Sequence, residues 1–141
     1  MRTAIFVLVL FASARARADD AAAGTYDVKY TEETGDCHYM TLRAGPLKIA
    51  VKKNTLTINI ETIPQMVGVP QKNGAITAKS KLGPTVIQGA DATYSTKGRI
   101  GDGGMLELVL SADYSTKGKA LCTQTWKVAG VREDDAAKPK K

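Results

Sequence analysis

Residues 47–61 read LKIAVKKNTLTINIE, and this stretch decides the fold class. On both sides of Lys53-Asn54, apolar residues alternate with polar or small ones. A period of two places alternate side chains on the same face of a β-strand, so that one face is buried and the other is solvated. Two such runs separated by a short polar pair are typical of a β-hairpin. The stretch therefore predicts two antiparallel strands joined by a tight turn.

The same alternation recurs along most of the chain. The further predicted strands are residues 25–31, 76–78, 85–88, 94–100, 106–112 and 119–128. Turn residues such as Asn73-Gly74 separate these runs, and no stretch combines helical spacing with capping residues. We therefore expect an all-β fold, an antiparallel meander of about seven or eight strands. Curling into a small barrel or half-barrel would bury the edges of such a sheet.

The N-terminus has the three parts of a secretion signal. A positive start is followed by the apolar run 4–12 and by Ala16-Arg17-Ala18, which fits the small-x-small rule for signal peptidase. We expect an N-terminal signal helix in residues 1–18, with cleavage between Ala18 and Asp19. The apolar run is too short for a bilayer, which needs roughly 20 residues, so no stable membrane insertion is expected after cleavage. The predicted location is secreted or periplasmic.

Cleavage would change the composition of the chain. The three arginines of residues 1–18 leave with the signal, so the basic excess falls from 20 against 14 to 17 against 14. The expected organisation is a single all-β domain, residues 19–132, followed by a flexible charged tail, residues 133–141. Nucleic-acid binding needs a basic stripe, and single-strand binding needs stacking aromatics beside it. Neither pattern is evident, so we expect no nucleic-acid partner.

Two cysteines, Cys37 and Cys122, are the only thiols of the chain. In an exported protein they meet an oxidising compartment, which favours one disulfide between them. The alternative is a metal site built from Asp36-Cys37-His38 and Cys122. A structural zinc site needs four ligands, and adjacent Cys and His side chains rarely face one ion. We therefore expect a disulfide, no metal and no cofactor.

Catalytic motifs do not stand out from the sequence. His38 is the only histidine, so Ser-His-Asp or Cys-His catalysis would have to use it, yet its neighbour Cys37 is expected to be oxidised. No Gly-x-Ser-x-Gly turn, phosphate-binding loop or dinucleotide-binding fingerprint is present. The sequence predicts a non-enzymatic protein without catalytic residues, and an exported hydrolase is the third-ranked alternative.

A short internal repeat links two of the predicted strands. Residues 92–98 read ATYSTKG and residues 112–118 read ADYSTKG. Equivalent positions in successive hairpins would explain the repeat through shared strand and turn preferences, with the glycines at a bend or bulge. A paired polar binding surface is the alternative explanation.

An apolar, proline-bracketed segment, residues 63–70, follows the predicted hairpin without continuing its alternation. Met66, Val67 and Val69 could line the mouth of a barrel and contact an apolar ligand. The segment could equally fold over an open end of the sheet and seal the core.

Gly24-x-Tyr26 at the start of the first strand, the meander and a bridge between the two ends of the sheet resemble small exported lipocalin-like β-barrel proteins. The usual Gly-x-Trp of that family is Gly24-x-Tyr26 here, and its later arginine and helix are not identifiable from the sequence. The resemblance implies a barrel and the binding of a small apolar ligand. The alternative is an envelope or extracellular interaction protein, or an inhibitor, with a filled core that acts through its loops on another protein.

Overall fold

The structure, a computed structural model, describes residues 22–33 and 35–133. These residues form nine β-strands and a short 3-10 helix, Asp102–Gly104. The strands are β1 (Gly24–Glu32), β2 (Gly45–Lys52), β3 (Thr55–Ile60), β4 (Met66–Gly68), β5 (Ala75–Lys79), β6 (Gly83–Pro84), β7 (Asp91–Ile100), β8 (Met105–Thr116) and β9 (Lys119–Arg132). The expected signal helix, its cleavage point between Ala18 and Asp19, and all but the first residue of the expected tail lie outside the described residues.

Eight of the nine strands close into an antiparallel barrel. Strands β1 to β5 pair in chain order, and so do β7 to β9. Pairing of β5 with β7 and of β9 with β1 then completes the ring. Strand β6 is the additional strand, and it pairs with the first two residues of β7. The predicted all-β fold and the barrel are confirmed.

The hairpin that decides the fold class forms where the alternation predicts it. Lys52 pairs with Thr55, so Lys53 and Asn54 are the two turn residues between β2 and β3. Lys53 has a φ of 56°, a left-handed value that two-residue hairpin turns require of a central residue. Leu56 and Ile58 are buried on the inner face of β3, as the period of two predicts.

Two segments differ from the sequence-based expectations. Residues 85–88 were expected to form a strand, but strand pairing stops at Pro84 and they belong to a loop. The physical reason is local, because the hydroxyl oxygen of Thr85 accepts the N–H of Ile87 and turns the backbone away from an extended path. Residues 66–68, which we expected to lie in a connection, form the short strand β4 between β3 and β5.

The close approach of neighbouring strands explains one glycine of the internal repeat, Gly98. A β-carbon at Gly98 would lie 2.0 Å from the carbonyl oxygen of Glu107, and one at Gly130 would lie 2.1 Å from that of Asp27. Only glycine allows neighbouring strands to approach so closely. The second glycine of the repeat, Gly118, has a different role, since its φ of 79° places it in the turn between β8 and β9.

The interior of the barrel is filled by side chains. The inward-facing residues that are at most 3% exposed are Tyr26, Val28, Leu47, Ile49, Leu56, Ile58, Met66, Ile76, Ala78, Ala92, Tyr94, Thr96, Leu106, Leu108, Leu110, Ala112, Tyr114, Gln124, Trp126 and Val128. A side chain that lined an internal void large enough for water would keep part of its surface accessible. Side chains of this bulk are sufficient to fill an eight-stranded barrel.

The expected disulfide is present. Cys37 and Cys122 are bonded, with their Cα atoms 5.9 Å apart. Because Cys37 follows β1 and Cys122 lies in β9, the bridge reinforces the pairing that closes the barrel. Disulfides of this kind are typical of proteins that fold in an oxidising environment.

Candidate functional site

The long connection between β1 and β2 crosses one mouth of the barrel. We call residues 35–44 the plug and this mouth the plugged end. At its start, the N–H of Asp36 donates to the carbonyl oxygen of Thr123 at 3.1 Å, and Cys37 is bonded to Cys122. The rest of the plug has no regular secondary structure, so side chains decide how it is held.

Gln124, on the inner face of β9, holds the middle of the plug. Its Nε2 donates to the carbonyl oxygen of Met40 at 2.8 Å and to Glu32 Oε1 at 2.6 Å. Its Oε1 accepts the N–H of Met40 at 3.1 Å and the hydroxyl of Tyr114 at 2.7 Å. Both donors and both acceptor positions of the amide are therefore used, which allows a fully buried side chain to be polar.

Tyr94 and Tyr114, the tyrosines of the internal repeat, lie under the plug. In the register of β7 and β8, Tyr94 pairs with Ala112 and Ala92 pairs with Tyr114. Each large ring therefore faces a small residue across the strands, which fits two rings into the narrow interior. The repeat thus has a packing explanation in the antiparallel register, and its tyrosines face inward rather than forming an exposed polar surface.

The plug contacts both rings directly. The hydroxyl of Tyr94 lies 3.9 Å from the sulfur of Met40, and the ring of Tyr39 packs edge-on against Tyr114 with centroids 5.0 Å apart. Burial is the main reason that the pKa of Tyr114 is raised, with smaller contributions from Tyr94, Glu32 and Tyr39. The surface beneath the plug thus consists of two aromatic rings, those of Tyr94 and Tyr114, and the side-chain amide of Gln124. We call Tyr94, Tyr114 and Gln124 the cup.

His38, the only histidine, is paired with Glu32 at the rim of the cup. Its Nδ1 is hydrogen-bonded to Glu32 Oε1, the same oxygen that accepts from Gln124. The bond from His38 is the main cause of a lowered pKa at Glu32, and the bond from Gln124 is the second. The histidine side chain itself is 66% exposed. His38 therefore attaches the plug to the end of β1.

The metal alternative from the sequence has no geometric support in the described part of the chain. Cys37 and Cys122 are joined to each other, and His38 bonds to Glu32. Across residues 22–33 and 35–133, no group of three His, Cys, Asp or Glu side chains is arranged to hold a metal ion.

A second loop at the plugged end exposes large apolar side chains. Val86 is 76% exposed and Leu82 is 59% exposed, beside strand β6. The 85–90 loop is closed on itself, because the hydroxyl of Thr85 donates to the carbonyl oxygen of Ala90 at 2.8 Å. A further bond of 2.7 Å, from the hydroxyl of Thr116 to the carbonyl oxygen of Gly89, ties the loop to β8. These hydrogen bonds fix the conformation of the loop, and the side chain of Val86 stays exposed to solvent.

The residues proposed to line a ligand mouth do not share one surface. Met66 is fully buried inside the barrel, whereas Val67 is 47% exposed and Val69 is 55% exposed. Alternation along β4 is the reason, since successive side chains of a strand point to opposite faces. Of the flanking residues, Ile63 is buried against the core, as the sealing alternative expected.

The opposite mouth, the open end, holds a pocket of about 460 Å³. Leu56, Ile76 and Ile100 provide its apolar part, and Arg132 lies at its side. The guanidinium of Arg132 packs over the ring of Tyr26, 5.4 Å from the centroid, and its Nη2 donates to the tyrosine hydroxyl at 2.9 Å. Among the described residues, Arg132 and Tyr26 therefore cover this end with their side chains, beside the pocket.

Sequence reasoning missed Gln124, Met40 and Arg132. Gln124 could have been identified from the sequence. The alternation that places Cys122 and Trp126 on the inner face of the last strand also places Gln124 on that face. A polar side chain on a buried face needs hydrogen-bonding partners. Its partner Met40 is 84 residues away in a segment without periodicity, so no local pattern could identify the pair.

Comparison with known proteins finds no family model, no curated relative and no solved structure that matches this chain. In the part of the chain that the structure describes, no helix has the length and apolar character needed to cross a membrane.

Proposed function

We propose that this chain is an exported, non-enzymatic protein that binds a partner protein through the loops at its plugged end. The observation that carries the proposal is the exposure of Leu82 and Val86 on loops that are held in place. Large apolar side chains that are held in water contribute favourable free energy when a partner buries them. Because the loop is already ordered, little conformational entropy would be lost on binding.

The filled interior favours this function over a carrier of apolar ligands inside the barrel. A carrier needs a cavity of several hundred Å³ lined by apolar side chains. Here the inward side chains of the strands contact one another, and the plug occupies the cup. The disulfide supports export to a secreted or periplasmic location, because such bonds are rare in reducing compartments.

The resemblance to small exported lipocalin-like β-barrel proteins is kept as a proposal. Eight antiparallel strands in chain order support it.

A small apolar ligand remains the second candidate, and the open-end pocket is the observation that favours it. Its volume of about 460 Å³ would accommodate a small molecule, and the partly exposed Ile100 would be its apolar contact, since Leu56 and Ile76 beneath are each only 1% exposed. Such a ligand would lie at the mouth and not within the barrel.

Site-specific photo-crosslinking distinguishes the two candidates. A benzophenone amino acid is placed at Val86 in one variant and at Val69, a matched exposed valine, in a control variant. After expression in the native host, we expect a protein adduct of one defined mass from position 86 and none from position 69. Native mass spectrometry of the wild-type protein is run in parallel. Equal adducts at both positions, or a retained small molecule without any adduct, would contradict the proposed function.

Affinity measurements then test the contact itself. Once the partner is identified, the double variant Leu82→Ser/Val86→Ser should bind it at least about tenfold more weakly, because full burial of a valine or leucine side chain is worth about 1.5–3 kcal/mol. The control variant Val67→Ser/Val69→Ser should bind with unchanged affinity.

A further inference from the structure

The plug occupies the cup in the way that a bound peptide would. Gln124 contacts both the N–H and the carbonyl oxygen of one residue, Met40. These two backbone groups are the ones that an extended peptide offers to a neighbouring strand. A side-chain amide that recognises only backbone atoms accepts every residue type except proline, which lacks the N–H.

Two side chains of the plug contact the cup separately, one partly buried (Met40) and one 41% exposed (Tyr39). Met40 places its sulfur against the hydroxyl of Tyr94, and Tyr39 lies across the ring of Tyr114. Tyrosine walls and a thioether adapt to side chains of different shape, since aromatic faces accept apolar, aromatic and sulfur groups. The chemistry of the cup therefore fits a peptide segment with one bulky side chain against Tyr94 and a neighbouring, partly exposed aromatic side chain against Tyr114.

The plug is fastened to the barrel wall at few points. Among the described residues 35–44, the backbone-to-backbone bond to another strand is the one from Asp36 to Thr123. Most of its residues, including His38, Thr41 and Arg43, are exposed to solvent. The disulfide is the covalent bond between the plug and the barrel wall, and in it Cys37 is buried and Cys122 is partly exposed.

We propose that the plug is a tethered internal ligand of a peptide-binding cup, and that reduction of Cys37–Cys122 allows it to exchange with an extended segment of a partner protein. This inference rests on the proposed function and names the ligand class. The reductant is a dithiol. One of its thiolates attacks the sulfur of Cys122, the more exposed of the two cysteines, and the Cys37 sulfur leaves as a thiolate and takes a proton. The second thiol of the reductant, as a thiolate, then attacks its own sulfur in the mixed disulfide, and the Cys122 sulfur leaves as a thiolate and takes the second proton. Two electrons and two protons pass to the protein, and the reductant becomes a cyclic disulfide.

Release of the plug leaves the cup with unmet polar groups. Without Met40, one donor and one acceptor of the Gln124 amide would lose their partners in a buried site. An unpartnered buried amide is unfavourable, so the empty cup favours a new occupant that supplies one N–H and one carbonyl. The plug stays attached at both ends of its connection and competes with an incoming segment at an effective concentration in the mM range.

Hydrogen exchange of the wild-type protein, with and without dithiothreitol, tests release of the plug. In the oxidised protein we expect the amide of Met40 to exchange within about tenfold of the slowest amides of β9, since it is partly buried and is hydrogen-bonded to the fully buried Gln124. In the reduced protein we expect it to exchange at least about a hundredfold faster than those amides. The proposal fails if reduction does not change the ratio of the Met40 exchange rate to the rates of the slowest β9 amides. It also fails if β9 loses protection to the same extent as Met40, because the disulfide would then stabilise the whole fold and not the plug alone.

Peptide binding in trans tests the cup. The probe is the fluorescent peptide Asp-Ser-His-Tyr-Met-Thr-Leu-Arg-Ala, the plug sequence with serine for cysteine. The receptor is Cys37→Ser/Cys122→Ser with Met40→Pro, which removes the competing N–H from the plug. We expect saturable binding at least about tenfold tighter than to the oxidised wild-type protein. Dithiothreitol-reduced wild-type protein is the second receptor, should the triple variant not fold.

Two controls decide the outcome. The same peptide with proline in place of methionine should not bind, and addition of Gln124→Leu to the receptor should abolish binding of the original peptide. Binding that survives both changes would overturn the proposal, and so would the absence of binding to either receptor. Failure here is distinguishable from failure of the proposed function, because crosslinking at Val86 uses the oxidised protein with its plug in place.

Discussion

The two ends of the barrel are closed in different ways, although β9 supplies the central polar side chain at each. At the plugged end, Gln124 binds a crossing backbone segment that is also fixed by a disulfide. At the open end, Arg132 covers Tyr26, and a pocket of about 460 Å³ remains beside them. In the described part of the chain, one end is therefore covered by a segment of polypeptide and the other by a pair of side chains.

Connection length accounts for this difference. Strands β2 and β3 are joined at the open end by the two residues Lys53 and Asn54. A two-residue turn cannot cover a mouth, whereas ten residues of extended chain span up to roughly 33–36 Å. The connection from β1 to β2 is long enough to cross the mouth, and Gln124 then fixes its path. The length of the β1–β2 connection thus determines which end is covered by backbone. The side chains beneath it, such as Gln124, must then supply hydrogen-bonding partners for that backbone.

Removal of the disulfide, which lies at the plugged end, is the largest expected effect. The bridge spans 85 residues, so the variant Cys37→Ser/Cys122→Ser should lose about 4.6 kcal/mol on the chain-entropy estimate. We expect the melting temperature, followed by circular dichroism, to fall by more than about 10 °C. A melting temperature within about 2 °C of the wild-type value would show that the bridge contributes little to stability.

The substitution Gln124→Leu should have the second-largest effect. It keeps a buried side chain of similar size but leaves the hydroxyl of Tyr114 and both backbone groups of Met40 without this partner. Buried unsatisfied groups cost about 1–3 kcal/mol each, and partial access of water lowers the sum, so we expect a loss of about 2–4 kcal/mol in urea unfolding. The control is Gln65→Leu, since Gln65 is exposed and bonds only to Asn59. Equal losses for the two variants would contradict the role of Gln124.

The strands could be predicted from the sequence because their signal is local. Alternation at residues 47–61 predicts β2 and β3 and the turn between them, and the structure agrees. Strand β4 was missed because three residues are too few to display a period of two. The 85–88 segment contains Val86 and Ile87, which favour a strand, yet the Thr85 hydroxyl competes for the backbone and forms a loop.

The candidate site could not be predicted in the same way. Met40 lies in a segment without alternation, and its position depends on a residue of β9 that is distant in sequence. The same holds for Arg132 and Tyr26, which meet only after β9 has paired with β1. Cys37 and Cys122 are the exception, because a count of two thiols allows only one pairing.

At the open end, Arg132→Met should have a smaller effect than Gln124→Leu. The variant loses the bonds to the hydroxyl of Tyr26 and the stacking over its ring, but that hydroxyl still donates to the carbonyl oxygen of Ala22. Water in the adjoining pocket can also replace a lost partner. We expect a loss of about 1 kcal/mol in urea unfolding. Arg99→Met, at an exposed wall position, is the matched control, and a loss at Arg132 equal to that of Gln124→Leu would show that the two ends are equally closed.

The smallest expected effect is the pH dependence contributed by Glu32 at the rim of the plugged end. Bonds from His38 and then Gln124 lower the pKa of Glu32 below its ordinary value of 4.5 in the folded protein. The unfolded chain therefore binds more protons between the two values, and the contribution to stability is complete above pH 4.5 and disappears as the pH falls through the folded pKa. Urea unfolding of the wild-type protein and Glu32→Gln should differ more at pH 6 than at pH 3. His38→Ala should reduce this difference without removing it, because Gln124 still donates to the carboxylate. A difference independent of pH would mean that the carboxylate is not held by these bonds, and the plug would then depend on Gln124 and the disulfide alone.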